Sequence, residues 1–80
     1  MLDPAAVFAA ISRTTREVVP EVDTDLISMD ATLADLGCNS IDRADVVVMT
    51  MERLRIAVPV SAFRSVNDIR SLVGVLQRFT

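Results

Sequence analysis

The chain has 80 residues and a formal net charge of −3; 51% of its residues are hydrophobic and only 4% are aromatic. This length suits one small domain, here 1–80, whose core must be built from aliphatic side chains. The sequence contains no His and no Lys, which excludes His-based acid–base catalysis, Ser-His-Asp triads and Schiff-base chemistry. We therefore expect a protein that is not an enzyme and has no metal site.

The charge is divided unevenly along the chain. Residues 21–45 contain seven acidic residues against one arginine, a net charge of −6, and the rest of the chain carries +3. Such an acidic segment is a poor partner for nucleic acid, whereas a basic patch on a protein would be attracted to it. The sequence shows no signal peptide and no apolar run of membrane-spanning length. The expected location is the cytoplasm, with no membrane partner.

The first predicted helix, helix I, begins with a cap at Asp3 and a proline at the first helical position, Pro4. Pro20 ends it. The predicted buried face contains residues at spacings of three and four, namely Val7, Phe8, Ile11, Thr15 and Val18.

Residues 21–39 show no sustained periodicity but carry scattered apolar anchors. We expect them to pack over the core, with a short helical turn at 31–36 begun by Asp30. The spacing of Asp23, Asp25 and Asp30 suggests calcium, but the glycine and glutamate of an EF-hand loop are missing. A calcium site is therefore disfavoured.

A sharp corner is predicted where this loop meets the second helix. Gly37 tolerates a positive φ, and either Asn39 or Ser40 can cap the helix that follows. The Ser40 hydroxyl is thus presented at a helix N-terminus, either as a cap only or as a functional group. Cys38, the only cysteine, is interpreted as a packing residue because no thiolate-stabilising base is near it in sequence.

Helix II is predicted from Ser40 or Ile41 to Arg55, and six of the eight residues in 44–51 are apolar. Either this helix is covered on all sides, or part of its apolar surface is exposed for a partner; we favour exposure. One apolar stripe consists of Val46, Val47, Thr50 and Leu54, and the second, which begins beside Ser40, consists of Ile41, Ala44, Val48 and Met51.

The C-terminal part begins with an extended linker at 56–60, since a residue before proline is driven out of helical space. A short helix III is expected at 61–65, and Asn67 is expected to cap helix IV. The predicted face of helix IV contains Ile69, Leu72, Val73, Leu76 and Phe79. The fold class is therefore all-α with four helices.

The spacing Leu36-Gly37-x-x-Ser40-Ile41-Asp42, within this order of elements, resembles the prosthetic-group site of acyl carrier proteins. The resemblance implies a four-helix acyl-carrier-protein-like bundle with a long loop between helices I and II. It also implies a covalent 4′-phosphopantetheine cofactor on Ser40, with a phosphopantetheinyl transferase and acyl-loading enzymes as partners. Such a carrier is expected to be monomeric when free and to contain no catalytic residue.

The same resemblance implies a docking surface around Ser40, in which Ile41, Ala44 and Val48 form the hydrophobic recognition stripe and Asp42 and Asp45 supply acids. The full set of predicted partner-docking residues is Asn39, Ile41, Asp42, Arg43, Ala44, Asp45, Val48 and Met51.

Three features depart from the usual carrier pattern: Asn39 replaces the usual Asp, Arg43 stands three residues after Ser40, and the segment from Pro59 to helix IV is about one turn short. Most of the acids expected later on helix II are also missing, and Met51, Arg53 and Arg55 occupy that region. Residues 36–43 instead resemble free-standing donor carriers of polyketide β-branching cassettes. That resemblance implies an acyl group, expected to be acetyl, that is presented to an HMG-CoA synthase-like enzyme. Because Arg43 lies one helical turn beyond Ser40, we expect its guanidinium to favour a partner with a carboxylate or carbonyl at that place. The alternatives are a general fatty-acid or polyketide synthase carrier, and a small helical interaction domain without a prosthetic group.

Overall fold

The computed structural model describes residues 2–80, which form three α-helices and two short 3₁₀ segments. Helix α1 spans Pro4–Val18, α2 spans Ser40–Leu54 and α3 spans Ile69–Gln77. The 3₁₀ segments are Thr24–Leu26 and Val60–Phe63. The all-α prediction is confirmed.

The predicted count of four α-helices is not confirmed. The segment predicted as helix III at 61–65 is the four-residue 3₁₀ segment Val60–Phe63, which ends before Ser65. Pro59 lies at its N-terminal end and provides no side-chain cap, and the Ala62 N–H donates to the Pro59 carbonyl oxygen at 2.9 Å. Such short segments with i→i+3 bonds are typical of 3₁₀ connectors.

The core lies between the three helices, with α1 packed against both α2 and α3. The predicted faces are largely correct, but Phe79 lies beyond α3 and is 41% exposed, whereas Val75 is buried in the core. Thr14, Thr15 and Thr50 are also buried. The buried hydrophobic residues are Val7, Ile11, Val19, Leu36, Cys38, Val46, Val58, Ile69, Leu72, Val73, Val75 and Leu76.

The first and third helices have side-chain caps, and one of them differs from the prediction. Asp3 Oδ1 accepts a hydrogen bond from the Ala6 N–H at 2.8 Å, as predicted for α1. At α3 the cap is Asp68 rather than Asn67, because Asp68 Oδ1 accepts from the Ser71 N–H at 2.8 Å. Ser71 Oγ in turn accepts from the Asp68 N–H at 3.1 Å, which completes a capping box.

The loop between α1 and α2 is fixed to the start of α3. The Ile69 N–H donates to the Ala31 carbonyl oxygen at 2.9 Å, and the Arg70 N–H donates to the Met29 carbonyl oxygen at 2.8 Å. Arg70 Nη2 also lies 2.9 Å from Asp30 Oδ1. Two N–H groups at the helix terminus, which have no partner within the helix, are thereby satisfied by the loop.

The short turn predicted to begin at Asp30 begins instead at Thr32. Thr32 Oγ1 accepts a hydrogen bond from the Asp35 N–H at 3.0 Å, whereas the Asp30 carboxylate pairs with Arg70. The turn ends at Gly37, which leads into α2. None of the helices in residues 2–80 combines the length and the apolar character needed to cross a bilayer.

Candidate functional site

The corner before α2 is built from a tight turn with glycine at its end. The Cys38 N–H donates to the Leu33 carbonyl oxygen at 3.1 Å, and the Gly37 N–H donates to the Ala34 carbonyl oxygen at 3.1 Å. Gly37 has a φ of +96°, which side chains disfavour. A Cβ at this position would meet its nearest neighbour at an ordinary 3.9 Å, so the backbone conformation, rather than a lack of space, requires glycine.

Asn39 is the N-cap of α2, which leaves the Ser40 hydroxyl available. Asn39 Oδ1 accepts from the Asp42 N–H at 2.8 Å, and Asp42 Oδ2 accepts from the Asn39 N–H at 3.2 Å. This reciprocal pair is a capping box. Ser40 is therefore the first residue of the helix; it is exposed, and its hydroxyl has no hydrogen-bond partner within residues 2–80.

The N-terminus of α2 suits an anion. The backbone N–H groups of Ser40 and Ile41 have no acceptor within the described part of the chain. Unpaired N–H groups and the helix dipole together favour an anion at such a terminus. No group of three or more His, Cys, Asp or Glu side chains in residues 2–80 is arranged to hold a metal ion.

Arg43 lies one turn into α2, and its side chain returns to the preceding loop. Its Nη1 donates to the Cys38 carbonyl oxygen at 3.3 Å. The guanidinium is therefore held at the Ser40 corner, a contact that the sequence analysis did not identify. No carboxylate within residues 2–80 forms an ion pair with it.

Cys38 is buried, with an exposed fraction of 4%. Burial raises the pKa of its thiol above the ordinary value of a cysteine, and the Asp42 carboxylate raises the pKa further, while the Arg43 guanidinium opposes the rise. A thiol with a raised pKa is protonated at neutral pH and is a weak nucleophile. These observations support the prediction that Cys38 is a packing residue.

The second apolar stripe of α2 is partly exposed, as predicted. Ile41 is 71% exposed and Val48 is 52% exposed, while Met51 is half-buried. The stripe borders an apolar cleft of about 350 Å³ that the sequence analysis did not predict. The cleft is lined by Arg43, Ala44, Val47, Val48, Met51, Val58, Val60 and Phe63.

The cleft includes residues from outside α2 because the segment after Pro59 folds back beside the helix. Val60 is 87% exposed at its edge, and Val58 is buried. The apolar run at 56–60 was predicted only as a linker. Its hydrophobicity was the available signal that it packs against α2.

The predicted docking residues thus fall into two groups. Asn39 and Asp42 are engaged in the helix cap and Arg43 contacts Cys38. The others are the exposed Ile41, Ala44, Asp45 and Val48 and the half-buried Met51.

Comparison with known proteins gives two findings. The family described as "Phosphopantetheine attachment site" matches residues 6–76. The chain is also 31% identical over 75 residues to a protein named polyketide biosynthesis acyl-carrier-protein AcpK from Bacillus subtilis (strain 168), a match that covers 94% of this chain and 92% of that protein. No solved structure matches the chain significantly.

Proposed function

Since this chain belongs to the acyl carrier protein family, whose prosthetic group is 4′-phosphopantetheine, we propose that Ser40 is the attachment point. Members of the family are carriers rather than enzymes. When bound, the arm supplies a thiol that holds acyl groups as thioesters. The domain, taken as residues 1–80, provides a rigid support and a surface that partner enzymes recognise.

The observation that carries this proposal is the free Ser40 hydroxyl at a capped helix N-terminus. Because Asn39 supplies the cap, modification of Ser40 Oγ leaves the capping hydrogen bonds intact. The unpaired N–H groups of Ser40 and Ile41 favour the negative charge of the phosphodiester. A serine that only caps the helix would use its oxygen for that purpose.

The test is intact-mass measurement after incubation with coenzyme A and a phosphopantetheinyl transferase. The wild type is expected to gain the mass of one phosphopantetheine, and Ser40→Ala is expected to gain none. Ser28→Ala is a matched control in the loop that precedes α2, where the serine is exposed but not at a helix terminus. Modification of Ser40→Ala at another residue would refute the assignment, and an unmodified wild type would favour a helical interaction domain without a prosthetic group.

We further propose that the acyl group is acetyl and that the acceptor is an HMG-CoA synthase-like enzyme in polyketide β-branching. The support is the sequence of residues 36–43, which contains Asn39 before Ser40 and ends with Arg43. The name of the relative from Bacillus subtilis places that protein in polyketide biosynthesis.

The docking surface proposed for this partner is the exposed stripe Ile41, Ala44 and Val48 with Asp45 beside it. The exposed apolar side chains of this stripe would become buried when a partner binds. Asp45, exposed at the edge of the stripe, would attract a basic surface on that partner. The test compares acetyl transfer from the loaded carrier to an HMG-CoA synthase-like enzyme with transfer to a fatty-acid ketosynthase. Faster transfer to the ketosynthase would favour a general fatty-acid or polyketide carrier.

A further inference from the structure

Arg43 is the only basic residue in the acidic segment 21–45. Its Nη1 is anchored to the Cys38 carbonyl oxygen at 3.3 Å, just before the α2 cap. Ser40 and Arg43 are separated by three positions on the helix, so their Cβ atoms are about 5–6 Å apart on one face. Long helical side chains lean toward the N-terminus, which brings the guanidinium toward the Ser40 end of α2.

We propose that Arg43 binds the phosphodiester of the prosthetic group on Ser40 and compensates its charge. This inference rests on the proposed function, because it requires an arm at Ser40. A phosphodiester there adds a negative charge two residues before Asp42, in a segment that already carries −6. Without a nearby cation, like-charge repulsion would oppose the favourable effect of the helix terminus.

The hydrogen-bonding capacity of Arg43 fits this role. A guanidinium has five N–H donors, and only one Arg43 hydrogen bond, to Cys38, is formed within residues 2–80. The planar arrangement of the remaining donors suits the oxygens of a phosphate. Asp42 does not occupy these donors, because its carboxylate forms no ion pair with Arg43 within residues 2–80.

A purely structural role for Arg43 makes a different prediction. If the guanidinium only tethers the loop through Cys38, its removal destabilises the apo and the phosphopantetheinylated protein equally. If it binds the phosphate, the change in melting temperature on loading depends on the residue at position 43. We call the change in melting temperature on loading the loading shift. The difference between the loading shifts of the wild type and an Arg43 variant therefore isolates the phosphate contact.

The experiment measures the melting temperatures of the apo and fully loaded forms of wild type, Arg43→Gln, Arg43→Lys and Arg55→Gln. At low salt, loading should lower the melting temperature of Arg43→Gln by about 2–4 °C relative to its effect on the wild type. Arg43→Lys should recover most of this difference because it keeps the charge. In 1 M salt the difference should shrink, because the Debye length falls to about 3 Å.

Arg55→Gln is the matched control. Arg55 is exposed at the opposite end of the same helix, about 22 Å from Ser40 at 1.5 Å per residue. Its loading shift should equal that of the wild type. In the wild type, the side-chain Nε–H resonance of Arg43 should move on loading, and that of Arg55 should not.

The outcomes separate this inference from the proposed function. Equal loading shifts in wild type and Arg43→Gln at low salt, or an unmoved Arg43 resonance, would overturn the phosphate contact alone. A wild-type chain that gains no mass would overturn the proposed function, and this inference would fall with it.

Discussion

Arg53 of α2 reaches across to Glu17 of α1, and its Nη2 lies 2.7 Å and 2.8 Å from the two carboxylate oxygens. The two side chains are 30% and 41% exposed. Arg13 approaches the same carboxylate, with Nε 3.6 Å from Oε1. The positive charge that Arg53 adds to α2 is thus compensated by Glu17 within the domain. Arg53 should therefore repel a basic surface less strongly than an unpaired arginine at this position would.

The first prediction concerns this ion pair. Glu17→Gln should lower the free energy of unfolding by less than about 1 kcal/mol, because the pair is partly exposed and screened by solvent. Urea denaturation at low and high salt measures the loss, which should be smaller at high salt. Glu21→Gln is the control, since Glu21 forms no ion pair within residues 2–80. A loss that does not change with salt would show that Glu17 acts through packing instead.

The parts of the fold that follow local rules could be predicted from the sequence. The α1 start at Asp3–Pro4 and the α2 start, predicted at Ser40 or Ile41, each depend on residues adjacent in sequence, and α2 begins at Ser40. The Asn67 cap was misplaced by one residue, because Asn67 and Asp68 are both good caps. Only the reciprocal bonds between Asp68 and Ser71 distinguish them.

The errors in the loop have a different origin, since they depend on long-range contacts. Asp30 was expected to start a turn, but it pairs with Arg70, forty residues away in sequence. The cleft beside α2 was missed for the same reason, because it needs 58–63 to fold against the helix. At the site, the position of Ser40 could be predicted, whereas the contact between Arg43 and Cys38 requires the three-dimensional turn.

The second prediction concerns Thr50, whose Oγ1 is buried without a hydrogen-bond partner within the described residues. Thr50→Val should raise the free energy of unfolding by about 1 kcal/mol, because it removes an unsatisfied polar atom and keeps the shape. Thr15→Val is the control: Thr15 is equally buried, but its hydroxyl donates to the Ile11 carbonyl oxygen at 2.8 Å. Thr15→Val should therefore raise the free energy of unfolding by less than Thr50→Val does. Chemical denaturation of both variants measures these changes. If Thr50→Val lowers the free energy of unfolding, the unpaired hydroxyl of Thr50 does not destabilise the fold.

A third prediction follows from the cap of α3. Hydrogen bonds from the Ser71 backbone N–H and side chain hold the pKa of Asp68 below its ordinary value of 3.8. A carboxylate with a lowered folded-state pKa stabilises the fold above its unfolded-state pKa, and this contribution is lost as the pH falls through the folded-state pKa. Melting temperatures of wild type and Asp68→Asn should therefore converge on acidification.

Asp35→Asn provides the comparison for that titration, since the Asp35 carboxylate makes no hydrogen bond or ion pair within residues 2–80. The melting temperature of Asp35→Asn should fall with pH as steeply as that of the wild type. If the melting temperature of Asp68→Asn falls as steeply as that of the wild type, the cap at α3 does not contribute to the acid sensitivity of the fold.

The fourth prediction uses the inert Cys38 thiol. Because burial raises the pKa of this thiol, native apo protein should react slowly with iodoacetamide at neutral pH. The loaded protein should take up one label rapidly, on the arm, and a second only after denaturation. Cys38→Ala should load normally and lose only the second label. Rapid labelling of Cys38 in the native apo protein would contradict its burial.

The last prediction concerns the exposed stripe of α2. Val48→Asp should slow acetyl transfer to the HMG-CoA synthase-like enzyme by at least about tenfold, because a buried hydrophobic contact at an interface contributes more than 1 kcal/mol when it is a hot spot. Leu26→Asp is the matched control, since Leu26 is 58% exposed and Val48 is 52% exposed, but Leu26 lies in a 3₁₀ segment outside α2. Both variants introduce the same charge at a similarly exposed apolar position, so their effects on stability should be alike. Transfer rates are measured with carriers that have been loaded fully, so that differences in loading do not contribute. If Leu26→Asp and Val48→Asp slow transfer equally, the effect is one of net charge, and the stripe beginning beside Ser40 is not the docking surface.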